Sequence, residues 1–136
     1  YAIGHKRLIG AFNRIRNHFG VSHPAQVAAM AALADEDHLN WAISAIHRSN
    51  ARIAEIAAAS GLSSLPTATN FVAVDCGRDG AYARRVLEEL GKRGIFIRKP
   101  AAPILDRCIR ISAGPDEAMD LLAEHLPASL RAAYEG

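Results

Sequence analysis

The sequence is poor in cysteine and has no long apolar run. Its 136 residues include only two cysteines, Cys76 and Cys108, which are too few for a disulfide framework. This cysteine usage predicts a reducing, cytoplasmic setting. No apolar stretch approaches the roughly 20 residues of a membrane-spanning helix, and no secretory signal is recognisable. The sequence therefore predicts no membrane partner.

The sequence also lacks a large excess of positive or negative charge, since the formal net charge is only +2. So small an excess does not argue for nucleic acid as a partner. The six histidines include no pair at i, i+4, and neither cysteine has a Cys or His close by, so no metal site is predicted. A G-x-S-x-G elbow, a Walker A loop and a G-x-G-x-x-G fingerprint are all missing. These patterns identify no catalytic residue.

Alanine-rich apolar segments are what the sequence has instead. Hydrophobic residues make up 50% of the chain and charged residues 22%, which is typical of a globular domain with its own core. Apolar residues at helical spacing predict a helix over about residues 5–18 and a second helix with Pro24 in its first turn. A long helix is expected from Asp35, with Gly61 as its C-cap.

From residue 62 onward the pattern changes to short strands and helices. Strands are predicted at residues 71–76, in IFIRK (95–99) and in CIRIS (108–112). One helix is expected between the first two strands, ending near Gly94, and another after the third strand. The order strand, helix, strand, strand, helix predicts an α/β fold in which a short sheet is covered by helices on one face.

Two of the predicted strands carry an arginine opposite a pair of isoleucines. In CIRIS, Ile109 and Ile111 share one face and Arg110 lies on the other. In IFIRK, Ile95 and Ile97 share one face and Arg98 lies on the other. If these strands are antiparallel neighbours, Arg98 and Arg110 approach one site. Guanidinium groups bind a carboxylate or phosphate through two parallel hydrogen bonds, so an anionic ligand is one interpretation. Salt bridges to Asp106 or to helix carboxylates are the other.

Several segments of the chain follow one another in an order that indicates an enzyme family. They are YAIGHKRLIGAFNRIR, SHPAQVAAMAALADEDHL, ATNFVAVD, LGKRGIFIRKP and CIRISAG. Together they resemble the C-terminal part of the histidinol-phosphate aminotransferase family, and TNFV, RGIFIR and CIRISAG are the most specific pieces. The resemblance covers almost the whole chain. It implies the aspartate-aminotransferase fold and pyridoxal 5'-phosphate as the cofactor of the full-length enzyme.

The same resemblance implies roles for the two arginines. In this family the arginine of the last strand binds the α-carboxylate of the amino-acid substrate, and that role falls on Arg110. The arginine of the preceding strand helps to bind the substrate phosphate in the histidinol-phosphate enzymes, and that role falls on Arg98. The implied activity is transfer of an amino group between an amino acid and a 2-oxo acid.

The resemblance also implies that most of the cofactor site lies outside this chain. The lysine that forms a Schiff base with the cofactor belongs to a serine-lysine stretch shortly before the segment that matches Tyr1. The lysines of this chain, Lys6, Lys92 and Lys99, are not in such a stretch. The chain alone is therefore expected to be an inactive part of the enzyme, without bound cofactor.

The implied domain division places residues 1–34 at the end of the large cofactor domain. Residues 35–136 form the small C-terminal α/β domain, entered by the long helix, and the full-length enzyme is expected to be a homodimer. Two alternatives remain open. One is a threonine-phosphate decarboxylase-like enzyme, which uses the same cofactor to break a different bond. The other is a non-catalytic α/β module that binds an anionic metabolite or a partner.

Overall fold

The computed structural model describes residues 2–135, so Tyr1 lies outside the described residues. The helices are α1 (Lys6–Ile15), α2 (His23–Ala34), α3 (Glu36–Ala59), α4 (Gly80–Lys92) and α5 (Asp116–Glu135), with a short 3₁₀ helix at Pro103–Leu105. The strands are β1 (Ser63–Ser64), β2 (Phe71–Asp75) and β3 (Cys108–Ser112). This content confirms the expected α/β class. Among the described residues, no helix combines the length and the apolar character needed to cross a membrane.

The chain forms two compact units, Tyr1–Asn40 and Trp41–Gly136, with the boundary inside α3. The assignment of residues 1–34 to a cofactor domain is not tested by this division and stays a prediction.

In the first unit, α1 is shorter than the predicted helix over residues 5–18. It ends at Ile15, and the Asn17 side chain then accepts a hydrogen bond of 2.9 Å from the Phe19 backbone N–H. This local bond gives the backbone an alternative to continuing the helix. α2 begins as predicted, with Pro24 in its first turn, and the structure shows Ser22 as the cap. No described residue of either helix is buried.

The sheet of the second unit is antiparallel, with the order β1-β2-β3. Val72 lies opposite Ile111 and Val74 opposite Ile109, and all four side chains are buried. They form the inner face of the sheet. The two-residue strand β1 was not predicted, because a strand this short shows no alternation of apolar and polar residues.

One hydrophobic core joins the inner face of the sheet to α3, α4 and α5. Apart from Ser129, the largest fully buried side chains are aliphatic: Ile53, Leu90, Ile109, Leu122, Leu126, Val72, Val74 and Val86. Only the C-terminal half of α3 takes part, because Ile53 and Ile56 are buried while Leu39 and Ile43 are exposed. The large apolar side chains of α3 are therefore buried only in its C-terminal half.

Glycines end two of the helices, as predicted. Gly61 follows α3 with a φ of 75°, and Gly94 follows α4 with a φ of 79°. This left-handed region suits glycine because it has no Cβ. The Leu62 N–H then bonds back to the Ala57 carbonyl at 2.9 Å, which turns the chain toward β1.

The predicted strand at residues 95–99 is wrong, since this segment makes only one isolated bridge, between Arg98 and Arg110. At its start, the Ile95 N–H bonds back to the Leu90 carbonyl and completes the end of α4. At its other end, Pro100 lies where an antiparallel ladder would next use a backbone donor, and proline has none. Pairing along this edge of the sheet is therefore limited to Arg98.

Candidate functional site

Arg110 lies on the outer face of the sheet, in the middle of β3. It is opposite Ala73, and Phe71 of β2 lies on the same face, with its ring centre 4.8 Å from the Arg110 guanidinium carbon. This distance is that of a cation–π contact. The side chain is partly buried, and its Nε is buried without a hydrogen-bond partner among the described residues. The aromatic ring supports one side of the guanidinium, and the buried Nε is left without an acceptor from the described residues.

The backbone places Arg98 directly beside Arg110. The Arg98 N–H bonds to the Arg110 carbonyl at 3.1 Å, and the Arg110 N–H bonds to the Arg98 carbonyl at 2.6 Å. Residues that exchange both bonds in an antiparallel pair project their side chains to the same face, with Cβ atoms roughly 5 Å apart. The backbones of the two arginines are therefore direct neighbours, as the predicted approach to one site requires. Arg98 is exposed and Arg110 is partly buried.

Asp106, one of the expected salt-bridge partners, pairs with a different residue. Its carboxylate lies 2.6 Å from the Lys99 ammonium, and this contact lowers the pKa of Asp106. The carboxylate is packed against the start of α4 at Gly80, where a Cβ atom would overlap it. In the described part of the chain, neither Arg98 nor Arg110 forms an ion pair with a carboxylate. The positive charge of these two arginines is therefore not neutralised by an ion pair with any described residue.

The remaining titratable groups near β2 and β3 are unsuited to nucleophilic chemistry. Asp75 accepts bonds of 2.7 and 2.9 Å from the Arg107 Nε, and this partner lowers the pKa of Asp75. Burial raises the pKa of the Cys76 thiol to about 11 and also raises that of Cys108. Both thiols are protonated at neutral pH, so neither supplies a thiolate.

The described residues do not fit a binding site for pyridoxal phosphate. Such a site needs a lysine in a shielded pocket. Lys92 is bound to Glu89 and Lys99 to Asp106, whereas Lys6 is exposed on α1. Within residues 2–135, no group of three or more His, Cys, Asp or Glu side chains is arranged to hold a metal ion.

Sequence reasoning missed the contact of Phe71 with Arg110 and two α3 residues that bind the chain next to β2 and β3. The sequence places Phe71 in a strand but does not predict its contact with Arg110, because this contact depends on the register between β2 and β3. Asn50 donates from its Nδ2 to the Thr69 carbonyl at 2.8 Å, just before β2. Ser49 accepts at 3.0 Å from the Gly114 N–H, just after β3. No spacing rule links these α3 residues to positions so distant in the sequence.

Comparisons with known proteins identify the family of this chain. The model of the family "Aminotransferase class I and II" matches residues 1–126. Histidinol-phosphate aminotransferase from Roseiflexus castenholzii is 36% identical over 128 residues, covering 93% of this chain and 34% of that protein. Histidinol-phosphate aminotransferase 1 from Nitrosococcus oceani is 33% identical over 117 residues, covering 86% of this chain and 31% of that protein.

A solved structure is also similar in sequence and fold. Histidinol-phosphate aminotransferase from Sinorhizobium meliloti, in complex with pyridoxal-5'-phosphate, is 55% identical and superposes with a TM-score of 0.86, covering 90% of this chain and 33% of that one. The chain belongs to the class I and II aminotransferase family. It spans about a third of the length of the curated relatives that it matches.

Proposed function

We propose that this chain is the substrate-binding C-terminal portion of a pyridoxal-phosphate-dependent aminotransferase similar to histidinol-phosphate aminotransferase. The full-length enzyme transfers an amino group between an amino acid and a 2-oxo acid. The observation that carries the proposal is the unneutralised arginine pair, in which neither Arg98 nor Arg110 has a carboxylate partner in the described chain. Family membership and the named histidinol-phosphate relatives support it.

In this proposal Arg110 binds the α-carboxylate of the substrate. Its guanidinium rests on Phe71 and is partly withdrawn from water, where a bidentate bond to a carboxylate is stronger than at an exposed position. Arg98 projects from the neighbouring position of the same face and binds a distal anion, such as a phosphate. Each guanidinium then faces its own anionic group of the substrate, which offsets the repulsion between the two positive charges.

The cofactor supplies the chemistry of amino-group transfer when it is bound, and the residues that hold it belong to the rest of the full-length protein. The proposal assigns no catalytic residue to residues 1–136. Residues 1–34 complete the large domain and residues 35–136 form the small domain. The family resemblance supports a homodimer. The scarcity of cysteine supports a cytoplasmic setting.

The test uses the full-length protein, purified with pyridoxal phosphate. Amino transfer from histidinol phosphate to a 2-oxo acid is measured by product formation, alongside amino acids without a phosphate. Saturable amino transfer supports the proposal. Because histidinol phosphate has no carboxyl group to lose, threonine phosphate is assayed beside it, and release of carbon dioxide from threonine phosphate without amino transfer would identify a decarboxylase instead. Substrate binding without turnover would identify a binding module.

The isolated chain provides a second test. Mixed with pyridoxal phosphate and reduced with borohydride, it is expected to show no stoichiometric labelling of a single lysine. Specific labelling of Lys6, Lys92 or Lys99 by mass spectrometry would contradict the assignment of the cofactor site to the rest of the enzyme.

A further inference from the structure

The segment before β2 is a hydrogen-bonded turn that ends at the residue supporting Arg110. The Thr67 hydroxyl donates to the Phe71 carbonyl at 2.7 Å and accepts from the Thr69 N–H at 3.1 Å. The Asn70 carbonyl accepts from the Ala113 N–H at 2.9 Å, which ties the turn to the chain just after β3. The turn over residues 67–70 thus sets the position of Phe71, whose ring lies under the Arg110 guanidinium.

Asn50 connects this turn to α3. Its Nδ2 donates to the Thr69 carbonyl at 2.8 Å, across 19 positions of sequence. The orientation of the amide is fixed by this contact, because a carbonyl can accept only from the nitrogen side. The neighbouring residue, Ser49, holds Gly114 beyond β3 at 3.0 Å. Consecutive residues of one helix therefore hold the loops that flank both strands of the arginine site.

We propose that Asn50 is a positioning residue for substrate binding, which acts on Arg110 through the 67–70 turn and Phe71. This inference rests on the proposed function, since it concerns the same carboxylate site. Asn50 does not touch the substrate. It fixes the Thr69 carbonyl, the turn fixes Phe71, and the aromatic ring limits the orientations of the guanidinium. A guanidinium held in one plane forms two parallel hydrogen bonds to a carboxylate with less loss of conformational freedom.

The test is made in the full-length holoenzyme with Asn50→Asp. This change nearly preserves side-chain size but sets a carboxylate oxygen against the Thr69 carbonyl, so the anchor is lost. The control is Asn40→Asp, the same chemical change at an exposed position of the same helix. Since a neutral hydrogen bond contributes roughly 1 kcal/mol, the KM for the amino acid is expected to rise about 5-fold. The turnover number and the Kd for pyridoxal phosphate should change less than twofold.

The split between KM and turnover separates positioning from a purely structural role. A structural role would lower the melting temperature and the amount of active enzyme while leaving the KM of the remaining enzyme unchanged. Thr67→Val removes the hydroxyl hydrogen bonds of the same turn. Position 67 is exposed, so this change does not open the core. It should raise the KM in the same direction. Phe71→Leu combined with Asn50→Asp should give less than the product of the two single effects, because both act on one guanidinium.

Two outcomes would overturn the inference, and they differ in what else they affect. If Arg110→Lys raises the KM while Asn50→Asp and Thr67→Val leave it within twofold of wild type, the positioning role is wrong and the proposed function stands. If the wild-type holoenzyme transfers no amino group from any amino acid, the proposed function fails and the inference fails with it. Should Asn50→Asp not yield folded enzyme, Thr67→Val decides alone.

Discussion

Replacing Arg110 with lysine in the full-length enzyme keeps the positive charge and removes the planar pair of donors. The guanidinium lies 4.8 Å from the centre of the Phe71 ring, and its buried Nε has no other partner among the described residues. Lysine loses one of the two parallel bonds, and a hydrogen bond to a charged group contributes roughly 1.5–3 kcal/mol. At about 1.4 kcal/mol per factor of ten, kcat/KM for the amino acid should fall roughly 10- to 100-fold or more.

The assay compares steady-state kinetics of the wild type, Arg110→Lys and the control Arg131→Lys, an exposed arginine of α5. The control should match the wild type. Cofactor absorbance and affinity should change little in Arg110→Lys, because the cofactor site is assigned to other residues. If Arg110→Lys left kcat/KM intact, or lowered only the stability of the fold, Arg110 would be a structural residue and the site assignment would be wrong.

Three further predictions concern the second arginine, acid stability and the first unit. Arg98→Lys should weaken only substrates that carry a phosphate or another distal anion, and an equal loss for all amino acids would contradict its role. Arg107 lowers the folded-state pKa of Asp75 below its ordinary 3.8, so this pair stabilises the fold above that pH and the stabilisation is lost as the pH falls through the folded-state value. Denaturant unfolding of Arg107→Gln should therefore differ from the wild type near neutral pH and converge with it in acid, and a constant difference would contradict the pairing. Amide hydrogen exchange in the isolated chain should be fast in residues 1–34 and slow in residues 71–111, because α1 and α2 bury no described residue, whereas equal protection would contradict the division.

Much of the second unit was predictable because its elements carry local signals. Isoleucines alternate with Arg110 in β3, and the glycines after α3 and α4 mark helix ends at the sequence level. The segment at residues 95–99 has the same alternation but is not a strand. Its first N–H completes α4 and Pro100 provides no donor, so tertiary context decided against the local pattern.

The candidate site was predictable only in part, for a related reason. Alternation located Arg98 and Arg110 and gave each a face of the sheet. It did not show that Asp106 pairs with Lys99, because both residues lie in an irregular connection without periodicity. The contact between Phe71 and Arg110 required the register of the sheet, which sequence alternation restricts to every second residue but does not fix.

The kind of contact that each neighbour makes with Arg110 determines whether replacing that neighbour also disturbs the Arg110 side chain. Arg98 is joined to Arg110 through backbone hydrogen bonds, so replacing either side chain leaves the position of the other unchanged. This independence is what permits the two arginines to be separated by substrate. Phe71 and Asn50 act through a side-chain contact and a side-chain hydrogen bond, so changing either one alters the support of the guanidinium. For substrates that use only one arginine, the effects of Arg98 and Arg110 substitutions on kcat/KM should therefore be additive. The effects of Phe71 and Asn50 substitutions on kcat/KM should not be additive.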